Sequence, residues 1–268
     1  MRFAAAVAGR TGAPLTVVSV TGDDTGVTAL AAGQGGEVLA EDAGAALEQA
    51  MRIARDAAVQ AEPLTAVATS APRGLAAAAV DFGAGLLVVG SGSGGSPGQL
   101  RRGQTASRLL SGSPSAVALV PEGWEAGGFT AIGAGFVDTA EGRAAVREAH
   151  ALADRSGARL RVLAAVHPPA WSRAAAEELR RAAEAAAQAA VSGLLGAPVD
   201  VDVDVVQPDD LLLTASGELD LLVCGTRGYG PRPAVLLGGV TQRLTAQARC
   251  PVIVLPGAHE HGLAALVA

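Results

Sequence analysis

Two copies of one pattern make up most of this chain of 268 residues, and this repeat constrains the fold more than any other feature. The stretch Leu86–Pro121 aligns without a gap on the stretch Leu221–Pro256, at a constant offset of 135 residues. An earlier block that contains Gly12 matches a block that contains Gly157, at an offset of 145 residues. A repeat of this length predicts two similar folding units in one chain.

Each copy alternates between strand and helix patterns. Short Val/Leu-rich runs bounded by Gly or Pro predict strands, and longer Ala/Glu/Arg stretches predict helices. In the second copy the strands are predicted near Thr130–Phe136, Leu160–Val166, Val199–Val206, Leu219–Cys224 and Val252–Leu255, and helices begin near Glu141, Ser172, Pro208 and Gly239. Ser172 is a candidate N-cap, and Glu177 and Arg181 have the i, i+4 spacing of an ion pair. The alternation predicts an α/β fold with two doubly wound parallel-sheet units, joined near Pro121–Phe129.

The first copy begins inside its first helix. When the strand predicted near Thr130 is projected back by 145 residues, it falls before Met1. Either the natural protein starts further upstream, or the first unit lacks this strand. A strand missing from the middle of a sheet leaves unpaired backbone groups, at a cost of several kcal/mol. We therefore expect an additional strand encoded upstream.

The composition excludes several functional classes. The chain has a net charge of −6, its arginines are scattered, and it contains no lysine, so the basic surface of a nucleic-acid-binding protein is absent. A Walker P-loop and Schiff-base chemistry both need lysine and are excluded as well. The apolar runs are interrupted before they reach the length of a membrane helix. Cys224 and Cys250 lack metal-ligand spacing and are predicted to be buried apolar residues.

The glycine-rich stretch Val88–Gly98 fits two known patterns. It contains GxGxxG, as in dinucleotide-binding folds, and GxSxG, as around a catalytic serine. The second copy has Arg227 in place of the middle glycine and Pro231 in place of Ser96. A dinucleotide motif also belongs after the first strand of a unit, whereas this stretch follows the fourth. We therefore disfavour both interpretations.

The two copies share one glycine after the fourth strand and another at the start of the next helix. These are Gly90 and Gly103 in the first copy, and Gly225 and Gly238 in the second. Small residues allow a phosphate to approach the backbone, and the N–H groups of a helix N-terminus bind anions without lysine. The alternative is a tight turn in which glycine serves only the backbone geometry. The sequence leaves both interpretations open.

The spacing Gly225-x-x-Gly228, nine residues and then Gly238, in a tandem repeat, resembles the universal stress protein family. The resemblance implies a five-stranded parallel sheet of order 3-2-1-4-5 in each unit, with the opening strand absent from the first. It also implies that the two units pair through their last strands, Ser115–Val120 and Val252–Leu255. The expected domains are residues 1–122 and 128–257, followed by a tail at 258–268.

Many members of that family bind ATP or AMP, with the glycine loop on the phosphates and an Asp after the first strand. The resemblance therefore implies a nucleotide site in the second unit at Gly225, Arg227, Gly228, Gly238, Gly239, Val240 and Asp138. Gly239 stands where the family usually has Ser or Thr, and Phe136 stands near the place of the usual Asp. The first unit carries a degenerate site at Gly90, Ser93, Gly103 and Gln104.

The function implied by the resemblance is that of a cytoplasmic, non-enzymatic stress-response protein with weak ATP or AMP binding in the second unit. The only metal expected is nucleotide-bound Mg, and neither nucleic acid nor membrane is an expected partner. The alternative is a scaffold or regulatory protein that has lost nucleotide binding and contacts other proteins. An enzyme is disfavoured because His150, His167, His259 and His261 lack a catalytic setting. Slow ATP hydrolysis is not excluded, and Asp138 is the first carboxylate to test.

Overall fold

The computed structural model describes residues 1–22, 35–92, 98–125, 127–167, 173–226 and 238–256, the side chains of 35–43 excepted. In chain order the elements of the first unit are α1 (Arg2–Thr11), β1 (Leu15–Thr21), α2 (Gly35–Asp56), β2 (Ala61–Val67), α3 (Ala71–Asp81), β3 (Leu86–Gly90), α4 (Gln104–Gly112) and β4 (Ala116–Val120). Those of the second are β5 (Ala131–Gly135), α5 (Ala140–Ser156), β6 (Arg159–Ala165), α6 (Arg173–Val191), β7 (Val199–Asp204), α7 (Pro208–Ala215), β8 (Leu221–Gly225), α8 (Gly239–Gln247) and β9 (Val252–Leu255). The alternation of strands and helices agrees with the prediction.

A seven-stranded sheet runs through both units in the order β3-β4-β9-β8-β5-β6-β7. The strands of the second unit, β7-β6-β5-β8-β9, are all parallel and have the order 3-2-1-4-5 that the resemblance implied. Among the described strands of this sheet, only β4 and β9 pair antiparallel, and Val117 lies opposite Val254 there. The two units therefore pair through their last strands, as expected.

The sheet of the first unit is divided in two. β1 and β2 form a separate parallel pair, whereas β3 and β4 belong to the large sheet. The repeat makes β1, β2, β3 and β4 the counterparts of β6, β7, β8 and β9. Among the described residues, no strand occupies the first unit's equivalent of β5. The prediction that this unit lacks its opening strand is confirmed for that part of the chain.

The apolar strands of the large sheet form the centre of the core. Ile132, Leu160, Leu221 and Ile253 are fully buried, since helices cover both faces of the sheet. α1 joins this core through Phe3, whose ring meets Trp124 of the linker edge-on at a centroid distance of 5.3 Å. The linker between the units is therefore packed against the first helix.

Local signals place several helix ends. Thr139 caps α5 by accepting a hydrogen bond from the Gly142 N–H at 3.1 Å. The counterparts Gly12 and Gly157 end α1 and α5 with φ values of 71° and 65°, a left-handed conformation that glycine adopts without strain. Ser172 lies outside the described residues. The predicted ion pair on α6 is present, with 3.2 Å between Arg181 Nε and Glu177 Oε1.

No helix in the described ranges combines the length and the apolarity that a membrane crossing requires.

Candidate functional site

The carboxyl ends of β5 and β8 lie side by side at the point where the strand order of the second unit reverses. Ligands of open parallel sheets bind outside the strand ends at such a point. A small cavity of about 40 Å³ lies there. Its lining comprises Gly135, Phe136, Val137, Gly142, Leu163, Ala165, Pro208, Leu211, Leu212, Cys224, Gly225, Val240 and Thr241. Two predicted site residues, Gly225 and Val240, therefore line the same cavity as the end of β5.

Hydrogen bonds hold the N-terminus of α8 beside the end of β8. Thr241 Oγ1 donates to the Gly225 carbonyl oxygen at 3.2 Å, and the Gly238 N–H donates to the Thr226 carbonyl oxygen at 3.1 Å. Gly238 is the N-cap and provides no side-chain acceptor for the first turn. A methyl group added at Gly239 would meet nothing within 4 Å. There is therefore space beside Gly239 among the described residues, and the first N–H groups of α8 receive no hydrogen bond from a side chain of the N-cap.

Asp138 lies beside this cavity without lining it. Its Oδ1 accepts from Arg143 Nη2 at 2.5 Å, and its side chain is 55% exposed. Phe136, only 5% exposed, and Val137 line the cavity instead. The resemblance implied that the Asp138 carboxylate would contact the nucleoside. Instead, this carboxylate forms an ion pair with Arg143 in the first turn of α5.

The N-terminus of α5 is closed by its own chain. Besides the cap from Thr139, the loop before the helix packs so closely that a methyl group at Gly142 would lie 2.0 Å from the Val137 carbonyl oxygen. α5 and α8 therefore differ: the N-cap Thr139 accepts a hydrogen bond from the first turn of α5, whereas the N-cap Gly238 of α8 has no side chain to do so.

Sequence reasoning missed the apolar floor of the cavity and its hydroxyl. The floor comes from Pro208, Leu212 and Cys224, and the hydroxyl from Thr241. Thr241 lies three residues after Gly238, and a hydroxyl in the first turn of a helix that follows a glycine loop was a usable signal. Pro208 and Leu212 lie on α7 and Cys224 lies on β8, so only the packing of these two elements brings the three side chains together.

The two cysteines are buried thiols, as predicted. Burial raises the pKa of the Cys224 thiol to about 12, although Thr241 is hydrogen-bonded to it, and burial likewise raises the pKa of Cys250 to about 12. Both remain protonated at neutral pH, so neither provides a thiolate nucleophile or a metal ligand.

The described arginines next to the site are paired with carboxylates. Arg243 on α8 binds Asp209 and Asp210 at the start of α7, and its hydrogen bond lowers the pKa of Asp209. Arg143 on α5 is paired with Asp138. Anion binding at this edge would thus depend on backbone N–H groups. Arg227 and Gly228 lie outside the described residues.

The glycine loop of the first unit is docked on the second unit. Its Ser91 Oγ accepts from the Arg101 N–H at 2.6 Å, and the Leu100 N–H donates to the Ala248 carbonyl oxygen at 2.7 Å. A methyl group at Gly92 would lie 3.2 Å from Gly103 Cα, so the two ends of the loop touch. This loop therefore connects the two units.

The remaining residues of the degenerate first site fall in different places. Gly90 ends β3, Gly103 is the N-cap of α4, and Gln104 is its first residue. Ser93 is not among the described residues. Across the described part of the chain, no cluster of three or more His, Cys, Asp or Glu side chains could hold a metal ion.

The comparison with protein families agrees with this geometry. The model of the universal stress protein family matches residues 1–121 and again residues 129–256. The chain belongs to the universal stress protein family. The match covers both units, including the first with its divided sheet.

Individual relatives support the same assignment. A universal stress protein of Thermus aquaticus, encoded in the QAH/OAS sulfhydrylase 3′ region, is 37% identical over 129 residues, which is 44% of this chain and 90% of the relative. A solved universal stress protein of Archaeoglobus fulgidus DSM 4304 has the same fold, with a TM-score of 0.70, 15% identity and coverage of 95% of this chain and 92% of that one. For a solved protein of Pseudomonas aeruginosa UCBPP-PA14 the TM-score is 0.63, with 16% identity and coverage of 92% and 95%.

Proposed function

We propose that this universal stress protein is a cytoplasmic, non-enzymatic stress-response protein whose second unit binds an adenine nucleotide, ATP or AMP, weakly. One observation carries the proposal: the first turn of α8, whose N-cap Gly238 has no side-chain acceptor and whose Gly239 has space around it, is hydrogen-bonded to Gly225 at the end of β8. This is the arrangement in which backbone N–H groups and the helix dipole bind a phosphate.

The same site accounts for weak affinity. Its nearest described cations, Arg143 and Arg243, already bind carboxylates, so a phosphate gains few charge-assisted hydrogen bonds there. Gly239 also lacks the hydroxyl that family members usually present. Any Mg would arrive with the nucleotide, since no described cluster of ligands holds a metal.

A binding role is favoured over catalysis by the state of the nearby reactive groups. Asp138 is tied to Arg143, and the Cys224 thiol stays protonated. Slow ATP hydrolysis is tested separately by measuring phosphate release from the wild type and from Asp138→Ala. An unchanged rate in the variant removes Asp138 from any hydrolytic mechanism.

The test of binding is calorimetric titration with ATP, ADP and AMP in the presence of Mg. Gly239→Val fills the open space above α8, and we expect at least a tenfold loss of affinity with little change in stability. The matched control is Gln104→Val, which alters the equivalent first residue of α4 in the first unit. If both variants bind as the wild type does, the α8 site is wrong. If the wild type binds no nucleotide at millimolar concentration, the binding function is wrong.

A second candidate is a scaffold or regulatory protein that has lost nucleotide binding. The size of the cavity favours it, because about 40 Å³ holds only a few water molecules and Phe136 takes up the adjacent space. This function predicts no nucleotide-linked rise in melting temperature, together with protein partners that are retained by Gly239→Val.

A further inference from the structure

A series of hydrogen bonds runs from the glycine loop of the first unit along α8 to the end of β8. It begins at Arg102, whose Nη1 donates to the Gln242 carbonyl oxygen at 3.3 Å and to Thr245 Oγ1 at 3.2 Å. Thr245 Oγ1 donates to the Thr241 carbonyl oxygen at 2.8 Å, and Thr241 Oγ1 donates to the Gly225 carbonyl oxygen at 3.2 Å. We call Arg102, Thr245, Thr241 and Gly225 the hydroxyl chain.

The two hydroxyl groups of this chain are buried. Thr245 is 0% exposed and Thr241 is 3% exposed. A buried hydroxyl group costs free energy unless it forms hydrogen bonds. The Thr241 hydroxyl is bonded to Cys224 as well as to Gly225, and the Thr245 hydroxyl lies between Arg102 and the Thr241 carbonyl group. Each hydroxyl therefore depends on partners from two different elements.

The first unit shows that strand-to-helix packing does not require these hydroxyl groups. The repeat makes Ala106 and Leu110 of α4 the counterparts of Thr241 and Thr245. Both are buried, at 3% and 7% exposure, and neither has a polar side chain. In the sequence, the counterpart of Arg102 is Leu237. The hydroxyl chain is therefore specific to α8, the helix that carries the proposed phosphate site.

Arg102 holds α8 close to its N-terminus. Its hydrogen bonds go to a carbonyl and a hydroxyl oxygen, whereas Arg143 and Arg243 bind carboxylates. A charged donor forms a stronger hydrogen bond than a neutral one. The Gln242 N–H donates in turn to the carbonyl oxygen of the N-cap Gly238 at 2.9 Å, within the first turn. The position of this turn is thus linked to that of the loop of the first unit.

We propose that Arg102 is a positioning residue, which acts through Thr245 and Thr241 to hold the first turn of α8 against the end of β8. Docking of the first unit thereby supports nucleotide binding by the second, so the inference rests on the proposed nucleotide site. Coupling between two binding events is reciprocal. Nucleotide binding to the second unit therefore tightens the docking of the loop.

The positioning is tested without nucleotide through the Cys224 thiol, which lines the cavity beside Thr241. In a Cys250→Ala background, its rate of reaction with dithionitrobenzoate reports opening of the contact between α8 and β8. We expect Arg102→Leu to raise the rate at least about threefold, since local opening exposes the thiol. The control is Gln99→Leu, because Gln99 Nε2 donates from the same loop to the Gln247 carbonyl oxygen at the other end of α8, at 3.2 Å. A rate in Arg102→Leu that equals the rate in the control overturns the inference.

The effect on binding is measured by calorimetric titration with AMP. We expect Arg102→Leu and Thr245→Val each to lower the affinity about fivefold, and the double variant to bind no more weakly than the weaker single variant. Thr245→Val keeps the charge of Arg102, so its loss of affinity excludes a purely Coulombic effect of that charge. Gln99→Leu should stay within about twofold of the wild type. Unchanged affinity in Arg102→Leu, or additive losses in the double variant, contradicts the hydroxyl chain.

The variant Gly239→Val separates this inference from the proposed function. If Gly239→Val loses affinity and Arg102→Leu does not, the phosphate site is correct and the positioning role is wrong. If the wild type binds no nucleotide, the proposed function and the coupling to it are both wrong. The Cys224 reaction rate decides the positioning of α8 in either case.

Hydrogen exchange tests the reciprocal effect. The Leu100 N–H donates to the Ala248 carbonyl oxygen of the second unit, whereas the Gly98 N–H donates to the Glu122 carbonyl oxygen at the end of the first. At saturating AMP we expect exchange of the Leu100 amide to slow at least about threefold in the wild type and to stay unchanged in Thr245→Val. The Gly98 amide is the internal control. Equal slowing of both amides, or slowing of Leu100 that persists in Thr245→Val, overturns the coupling through the hydroxyl chain.

Discussion

Arg155 on α5 donates a hydrogen bond from Nη2 to the carbonyl oxygen of Thr11, at 2.6 Å, and so caps the last turn of α1. A second bond runs from its Nε to the Arg10 carbonyl oxygen at 3.2 Å. Arg10 is the repeat counterpart of Arg155, yet its guanidinium lies 4.9 Å from the centre of the Phe129 ring. Equivalent arginines thus support the contact between the units in different ways.

Replacing Arg155 by Ala removes both hydrogen bonds and leaves two carbonyl groups at the end of α1 without this partner. We expect the free energy of unfolding to fall by about 1 kcal/mol, measured by urea denaturation. Arg181→Ala is the control, because its ion pair with Glu177 within α6 is exposed to solvent and is expected to contribute little. Equal effects of the two variants would contradict a special role for Arg155.

Two glycines in first helical turns provide a test of packing. Gly142→Ala places a methyl group against the Val137 carbonyl oxygen, and we expect a loss of about 1–3 kcal/mol of stability from the forced shift. Gly239→Ala meets nothing within 4 Å, so we expect no loss, and a small gain from helix propensity. Thermal melting of both variants checks the difference, and a tolerated Gly142→Ala would show that the loop before α5 can move.

Docking of the first unit's loop depends on Leu100, which is 2% exposed. Leu100→Ala opens a cavity at the contact with the second unit, so we expect a loss of about 2–4 kcal/mol and faster proteolysis of the loop. Leu179→Ala on α6, where the side chain is 43% exposed, is the matched control and should change stability little. If Leu100→Ala is as stable as this control, the loop does not join the units.

The buried thiols predict a loss of stability at alkaline pH. Burial raises the pKa of Cys224 and of Cys250 from 9.0 to about 12, so above pH 9 the unfolded chain releases protons that the folded protein keeps. The contribution is complete below pH 9 and decreases as the pH rises towards 12. Few other side chains titrate in this window, because the chain has no lysine and a single tyrosine. Denaturation between pH 8 and 11 should show the decrease in the wild type and a flatter profile in Cys224→Ala/Cys250→Ala.

The glycine spacing indicated the strand-to-helix turn where Gly225 and Val240 meet, because small residues at fixed positions reflect a local backbone requirement. It did not reveal that Asp138 would be paired with Arg143, or that Phe136 would line the cavity in its place. Such pairings depend on which side chains the packing of separate elements brings together. The roles of all these site residues stay predictions, and Arg227, Gly228 and Ser93 also lie outside the described residues.

The sequence by itself determined the two units and the alternation of strands and helices in each, because these follow from a repeat and from apolar periodicity along the chain. The strand order and the pairing of the last strands were implied by the resemblance to the universal stress protein family. Three features became visible only in the tertiary structure. The first glycine loop packs against the second unit at Leu100, the N-cap Gly238 of α8 has no side-chain acceptor, and a cleft separates β1 from β3. The physical reason is that local patterns specify each strand and turn, whereas a loop contact, a cavity or an unpaired edge depends on elements far apart in the chain.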